Sequence, residues 1–166
     1  MDVSIRPVRP AQFEALGEIT AQAYLGDGLL DLGAGDPYLD QLRAVERRAA
    51  EAEVLVALDA DGRLLGGVTY VAPGSPWADV ASQDEAEFRM LAVSPEARGR
   101  GAGEALVRAC VDRARAAGGL SGLVLSTQPA MLGAHRIYRR LGFVRTPERD
   151  WCPLPDLPLL TYRLEL

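Results

Sequence analysis

The segment from Arg98 to Gly103, with the sequence Arg-Gly-Arg-Gly-Ala-Gly, combines glycines and arginines in a way that suits a phosphate-bearing ligand. It follows a predicted strand and opens a predicted helix. Glycine lets the backbone turn tightly and lets a ligand approach without meeting a Cβ atom. The first N–H groups of a helix lack partners within it, and the helix dipole favours an anion there. We therefore predict that this glycine loop, residues 98–103, binds a diphosphate.

Two common diphosphate-binding motifs do not fit the glycine loop. A dinucleotide-binding fingerprint requires a third glycine at position 104, where the carboxylate of Glu104 would repel a pyrophosphate. A phosphate-loop nucleotide hydrolase requires a lysine, and all 18 basic residues of this chain are arginine. A glycine-rich turn that only starts a helix is the structural alternative, and a nucleotide-binding domain of another kind is a functional one.

A second segment, from Ala134 to Phe143, places Tyr138 three residues before a Leu-Gly-Phe sequence at the end of a predicted helix. In the glycine loop, Arg98 is followed by two residues and then Gly101, and one residue separates Gly101 from Gly103. One predicted strand lies between this loop and the second segment. With this combination the chain resembles the GNAT superfamily of N-acetyltransferases. The resemblance is strongest over residues 87–143, and it implies a single GNAT domain over residues 1–166.

The resemblance implies an acyltransferase that uses acetyl-CoA as co-substrate, without a metal. An acetyl group would pass to a primary amine of a small molecule or peptide by direct attack in a ternary complex. The pantetheine arm would lie along the strand at residues 91–93, and the pyrophosphate on the glycine loop. The residues implied to bind acetyl-CoA are Leu91, Ala92, Val93, Arg98, Gly99, Arg100, Gly101, Ala102 and Gly103. A CoA-binding regulatory module of the same fold, without turnover, is the alternative.

The resemblance also implies two catalytic residues. Tyr138 would protonate the departing thiolate, although it also lies on an apolar helical stripe and could be a core aromatic; a tyrosine can serve both purposes. Glu87 would deprotonate the amine, because an ammonium has no lone pair with which to attack. The alternatives for Glu87 are an ion pair with Arg89, replacement as base by Asp84 or Glu85, and capture of the neutral amine without any base.

Other polar residues near the two segments have smaller predicted roles. The single histidine, His135, is interpreted as a surface residue or one that starts a helix. The arginines of the same helix would either reach the CoA phosphates or form a solvated basic face; they are Arg136, Arg139 and Arg140. Met131 stands where many relatives have an asparagine that contacts CoA, so Thr127 or Gln128 would have to replace that contact.

The net charge of the chain and the positions of its acidic residues indicate which classes of ligand it binds. The net charge of −5 and the pI near 4.9 argue against nucleic acid, and two cysteines with one histidine argue against a zinc cluster. Acidic residues near the predicted cleft would attract a cationic amine, such as a polyamine, an amino acid or a protein N-terminus. They are Asp27, Asp31, Asp36, Asp79, Asp84, Glu85 and Glu87.

No signal-like or membrane-spanning apolar stretch is evident, which predicts a cytoplasmic protein. The apolar strand at 157–166 would allow a homodimer.

The elements that must position these residues follow from hydrophobic periodicity and turn residues. We predict strands at 3–8, 54–58, 64–71, 87–93, 121–127, 143–145 and 159–164, helices at 10–25, 38–51, 101–117 and 131–141, and a loop at 26–36 over the cleft. The order predicts an α/β (α+β) protein of the GNAT fold. Its mixed, twisted sheet would have six to seven strands, flanked by about four helices, with splayed parallel strands that hold acyl-CoA.

Overall fold

The computed structural model describes residues 2–26, 29–30 and 32–166. The strands are β1 (Ser4–Pro7), β2 (Glu53–Leu58), β3 (Leu64–Val71), β4 (Glu85–Val93), β5 (Gly122–Thr127), β6 (Val144–Arg145), β7 (Trp151–Leu154) and β8 (Leu157–Glu165). The helices are α1 (Phe13–Gly26), α2 (Tyr38–Arg43), α3 (Val45–Glu51), α4 (Ala102–Ala117) and α5 (Leu132–Arg140). No helix in these described ranges is long and apolar enough to cross a membrane.

The strands form one mixed sheet in the order β1-β2-β3-β4-β5-β8-β6, and β7 pairs with β8. β4 and β5 are parallel, and the other neighbours are antiparallel. The predicted mixed sheet is confirmed, with one strand more than expected. The additional strand, β7, lies in a proline-containing segment for which the sequence pattern indicated no element.

The two parallel strands separate soon after they meet. β4 pairs with β5 only over Glu85–Glu87 and then continues to Val93 beside β3 alone. A register shift between β3 and β4 coincides with a left-handed residue, Met90, at φ 56°. Such a bulge bends the bulged strand. The predicted splay is therefore present, and the second edge of residues 88–93 has no strand partner in the described structure.

Apolar packing covers both faces of the sheet. On one face, the apolar stripe of α4 packs with Phe88 and Leu123 of the central strands, and Tyr138 of α5 belongs to the same cluster. On the other face, α1, α2 and α3 pack through smaller clusters that contain Leu16 and Leu42. The glycine loop and the end of α5 are therefore supported by a packed apolar core.

The predicted helix at 38–51 is two helices, separated at Ala44. The buried side chain of Arg48 donates to the backbone carbonyls of Gln41 and Leu42, and also to the hydroxyl of Thr69 at 3.0 Å. Carbonyls at a helix end have no partner within the helix. Arg48 therefore stabilises the end of α2 and joins it to the sheet.

The last strand, which the sequence indicated was apolar enough to pair with a second copy, is not an edge strand of the sheet. β8 lies inside the sheet, with β5 on one side and β6 and β7 on the other. The hydrogen-bonding groups on both of its edges are therefore largely used within the chain, and the homodimer stays a prediction.

Candidate active site

A cavity of about 720 Å³ lies where β4 leaves β5. Residues 87–91 of β4 line it together with the end of β5 at 126–128 and Tyr138 of α5. The segment 29–41 and the β7–β8 pair supply the remaining walls. The structure thus brings Glu87, Leu91 and Tyr138, which were predicted from separate motifs, to a single cavity.

The glycine loop has the open backbone that an anion requires. Gly99 and Gly101 have φ angles of 80° and 83°, which favour glycine. A Cβ atom at either position would meet nothing within 4 Å, so the space beside the loop is open. Gly101 is the N-cap of the 16-residue helix α4. Gly103 allows close packing instead, since a Cβ there would lie 3.3 Å from Ile137 Cδ1.

The other residues implied to bind acetyl-CoA surround this loop. Leu91 lines the cavity, and Ala92 and Val93 pair with Gly67 and Gly66 of β3. At these residues the second edge of β4 has no strand partner in the described structure, because β5 has already diverged. Arg98 is exposed and Arg100 half-buried, whereas Ala102 is buried beneath the start of α4. The residues present therefore fit an extended ligand that carries a diphosphate.

Glu87 is fully buried and uses only one of its two oxygens. Its Oε1 accepts three backbone hydrogen bonds, from Asp79, Val80 and Ala81, each at 3.0 Å. Its Oε2 has no hydrogen-bond partner in the described structure. Burial raises the pKa of Glu87 above its ordinary value, and the three N–H donors oppose this shift only in part. One oxygen therefore anchors the side chain, and the other is buried without a partner among the described residues.

The predicted alternative of an ion pair between Glu87 and Arg89 is wrong. Arg89 pairs with Asp79, with 3.1 Å between Nη2 and Oδ2. It also donates to the carbonyl of Trp77 at 3.0 Å and to the hydroxyl of Tyr38 at 3.2 Å. The guanidinium is thus held in the cavity wall by partners other than Glu87.

Tyr138 is both a core aromatic and a cavity residue. Its ring centroid lies 5.8 Å from that of Phe88, 5.9 Å from that of Phe143 and 5.7 Å from that of Tyr162. Burial raises the pKa of its hydroxyl. The hydroxyl therefore stays protonated near neutral pH.

The two carboxylates named as substitutes for Glu87 are used elsewhere. Glu85 binds Arg149 at 2.8 Å and Arg163 at 2.7 Å. Burial opposes its ionisation, but these arginines outweigh it and lower the pKa of Glu85 to about 2. Asp84 accepts a hydrogen bond from the Ser82 hydroxyl at 2.7 Å. Neither residue lines the cavity, so the geometry favours Glu87 as the base.

The predicted surface position of His135 is wrong. The residue is 4% exposed, and its Nε2 lies 3.0 Å from the carbonyl oxygen of Gln128 and 3.3 Å from Thr127 Oγ1. Burial lowers the pKa of His135, so the imidazole is neutral near pH 7. Met131 takes part in the same contacts, since the Thr127 hydroxyl donates to its sulfur at 3.5 Å. His135 therefore stabilises the start of α5.

Two charged residues at the head of α4 and the end of α5 pair with each other. Glu104, which argued against a dinucleotide site, lies 2.6 Å from Arg140 and 3.4 Å from Arg108. Arg140 thus connects α5 to α4. Arg136 and Arg139 are exposed, as expected for a solvated face.

The loop predicted over the cleft does border the cavity, through Leu29, Leu30, Leu32 and Asp36. Asp27 and Asp31 lie outside the described residues. The sequence reasoning missed the two tyrosines at the ends of this loop, Tyr24 and Tyr38, which also line the cavity. Both tyrosines flank the predicted cleft loop in the sequence, and this position is the feature from which their place in the cavity could have been predicted.

Comparison with known proteins agrees with this geometry. A model of the Acetyltransferase (GNAT) family matches residues 18–143. The chain belongs to the GNAT acetyltransferase family. The prediction of an acyltransferase is thereby confirmed at the level of the family. In the described ranges no group of three or more histidine, cysteine, aspartate or glutamate residues is placed to hold a metal ion.

Two curated proteins resemble this GNAT chain in sequence. A mycothiol acetyltransferase from Cellulomonas flavigena is 33% identical in an alignment 153 residues long, which covers 87% of this chain and 41% of the relative. An uncharacterised N-acetyltransferase from Schizosaccharomyces pombe is 33% identical over 113 residues, which are 68% of this chain and 63% of the relative. The chain thus spans less than two thirds of the length of either relative.

Solved structures share the GNAT fold. An acetyltransferase from Salmonella typhimurium, solved with its cofactor acetyl-CoA, matches with a TM-score of 0.71 at 22% identity, over 100% of this chain and 95% of that one. An acetyltransferase of the GNAT family from Staphylococcus aureus Mu50 matches with a TM-score of 0.76 at 15% identity, over 99% of both chains. At these identities the similarity establishes the fold alone.

Proposed function

We propose that this protein transfers an acetyl group from acetyl-CoA to a primary amine of a small molecule or peptide, within a ternary complex. The observation that carries the proposal is the single cavity at the splay of β4 and β5. It is lined by a protonated tyrosine and by a buried carboxylate, one oxygen of which has no hydrogen-bond partner among the described residues. The proposal treats residues 1–166 as one catalytic domain.

The glycine loop and the free edge of β4 would hold acetyl-CoA, which supplies an activated acetyl thioester. Backbone N–H groups at the head of α4 would bind the pyrophosphate, helped by the helix dipole. The backbone of Leu91 and Val93 would hydrogen-bond the pantetheine arm along the edge that lacks a strand partner. These contacts fix the thioester beside Tyr138, and such positioning lowers the entropic cost of the reaction.

Glu87 would prepare the amine for attack. Its Oε2 accepts a proton from the ammonium, directly or through one water molecule, which frees the nitrogen lone pair. Burial brings the pKa of Glu87 closer to neutral, which strengthens the carboxylate as a base. Because Oε1 is held by three backbone N–H groups, the side chain does not need to reorganise when it takes the proton.

Tyr138 would complete the transfer. As the carbon–nitrogen bond forms and the carbon–sulfur bond breaks, the hydroxyl gives its proton to the departing sulfur. After the nitrogen has attacked, it carries one proton more than the amide product, and this proton restores the Tyr138 hydroxyl directly or through water. Glu87 releases to solvent the proton that it took from the ammonium, so both side chains return to their starting states. The products are the N-acetylated amine and CoA with a free thiol.

Two measurements test the proposed function. Because a ligand that binds only the native state raises the melting temperature, saturating acetyl-CoA at about 100 times its Kd should stabilise the protein by about 2.7 kcal/mol. NAD and ATP should cause no comparable shift. Thiol release from acetyl-CoA should then depend on an added amine. Stabilisation by acetyl-CoA without release for any amine would instead support the non-catalytic CoA-binding alternative.

A further inference from the structure

The walls of the cavity are mostly apolar, which bears on the amine that the cavity accepts. Part of the lining comes from α1 and the segments 29–30 and 32–41, and another part comes from β7 and β8. Their apolar and aromatic members include Tyr24, Leu32, Tyr38, Trp151, Leu154 and Leu159. A polar acceptor would lose its hydration here and gain few hydrogen-bonding partners.

Most of the charged side chains that line the cavity are already paired. Asp36 accepts backbone N–H groups from Tyr38 at 2.9 Å and Leu32 at 3.4 Å. Asp79 and Arg89 form an ion pair with 3.1 Å between their atoms. The charges of Asp79 and Arg89 therefore offset each other, and the Asp36 carboxylate is held in place by backbone N–H groups.

Glu87 differs from these residues because its Oε2 is buried without a hydrogen-bond partner. In the described residues it is the only buried side-chain oxygen or nitrogen of this kind. A buried carboxylate oxygen that lacks a partner is costly unless a ligand supplies a donor. One such oxygen, on a residue that lines a mostly apolar cavity, matches one ammonium group attached to an apolar body.

The rim of the cavity gives an independent indication. Among the described residues, four large apolar side chains are mostly exposed: Leu32, Leu132, Val144 and Leu154. Leu32 and Leu154, which are 67% and 53% exposed, both line the cavity. An acceptor with an apolar body would cover these two side chains and remove their surface from water, which is favourable.

We propose that the acceptor is a monoamine with an alkyl or aryl body and without a carboxylate or second ammonium. This inference rests on the proposed function. Among the described residues that line the cavity, Arg89 is the cation that a carboxylate of the acceptor could pair with. Its guanidinium already binds Asp79, Trp77 and Tyr38. A second ammonium would be buried against leucine and aromatic side chains, which is unfavourable without a partner.

Matched pairs of amines test the inference through thiol release from acetyl-CoA by the purified protein. Phenylethylamine and phenylalanine share a ring and an amine, but phenylalanine adds a carboxylate. Hexylamine and 1,6-diaminohexane share a chain, but the second adds an ammonium. We expect kcat/KM to be at least about tenfold higher for the first member of each pair.

A pair of variants tests whether the rim near β7 contributes to this preference. Leu154→Glu places a carboxylate at the cavity rim, and Val144→Glu places one at an apolar position outside the cavity lining that is also mostly exposed. Leu154→Glu should raise the ratio of kcat/KM for diaminohexane to that for hexylamine about threefold to fivefold, as expected for one partly solvated attraction. Val144→Glu should leave the ratio unchanged.

The outcomes separate this inference from the proposed function. Faster reaction with phenylalanine or diaminohexane would overturn the inference and leave the acetyltransferase intact. Equal shifts in both variants would also overturn it, because the preference would then reflect overall charge. Absence of thiol release with every amine, polyamines and amino acids included, would overturn the proposed function and the inference with it.

Discussion

Replacement of Glu87 by glutamine separates the two tasks that the structure gives this side chain. In Glu87→Gln the amide oxygen can still accept the N–H groups of Asp79, Val80 and Ala81, so the 79–81 segment stays anchored. The amide nitrogen replaces Oε2, so the group that would take the proton is lost. Glu87→Ala removes the anchor as well and serves as the comparison.

The expected loss follows from the role of the lost group. General-base catalysis contributes about 10²–10⁴-fold, so kcat should fall by that factor in Glu87→Gln. In the native protein kcat/KM should rise with pH as Glu87 loses its proton, at a pH above the ordinary glutamate range because burial raises its pKa. The variant should lack this rise, and its residual rate should follow only the fraction of neutral amine. Binding of acetyl-CoA, measured by calorimetry, should not change.

Stability provides the control for this experiment. Because the pKa of Glu87 is raised in the folded state, its ionisation costs stability as the pH rises from the ordinary glutamate value through the raised one. Glu87→Gln should therefore melt at or above the native temperature at pH 8, whereas Glu87→Ala should melt lower. A Glu87→Gln protein with native kcat across the pH range would refute the assignment of Glu87 as the base.

Three further predictions concern Tyr138, Glu85 and Gly101. Tyr138→Phe should lower kcat by about 10²–10⁴-fold, the usual range for a general acid, with little change in acetyl-CoA affinity; an unchanged kcat would remove Tyr138 from the mechanism. Glu85→Gln should lower the free energy of unfolding by about 2 kcal/mol at pH 7, allowing for partly exposed arginines. As the pH falls from 4.5 towards the Glu85 pKa of about 2, denaturant titrations should show that the variant loses less of this free energy than the native protein does. Gly101→Ala should weaken acetyl-CoA binding in calorimetry, because alanine at φ 83° costs about 1–2 kcal/mol; native affinity would contradict the role of the loop.

The glycine loop and the order of elements could be predicted because their signals are local. Gly99 and Gly101 adopt the left-handed backbone that their residue type favours, and α4 begins where the sequence pattern places it. Tyr138 falls at the predicted position because α5 ends at the expected Leu-Gly-Phe sequence. Fixed spacing within one strand–helix unit is enough to place these features.

The partners of Glu87 could not be predicted because they are backbone N–H groups, which leave no signature in side-chain types. The break at Ala44 depends on a long-range contact between Arg48 and Thr69, so a helical pattern alone extends across it. β7 forms because β8 offers an edge, although its own residues have weak strand signals. In each case tertiary contacts decide what local pattern leaves open.

The most direct test of the central claim is a crystal structure of the protein with acetyl-CoA. We expect the pyrophosphate to accept hydrogen bonds from backbone N–H groups of residues 98–103, and the thioester to lie in the cavity beside Tyr138. Acetyl-CoA bound elsewhere on the protein, with residues 98–103 making no contact to its phosphates, would contradict this account.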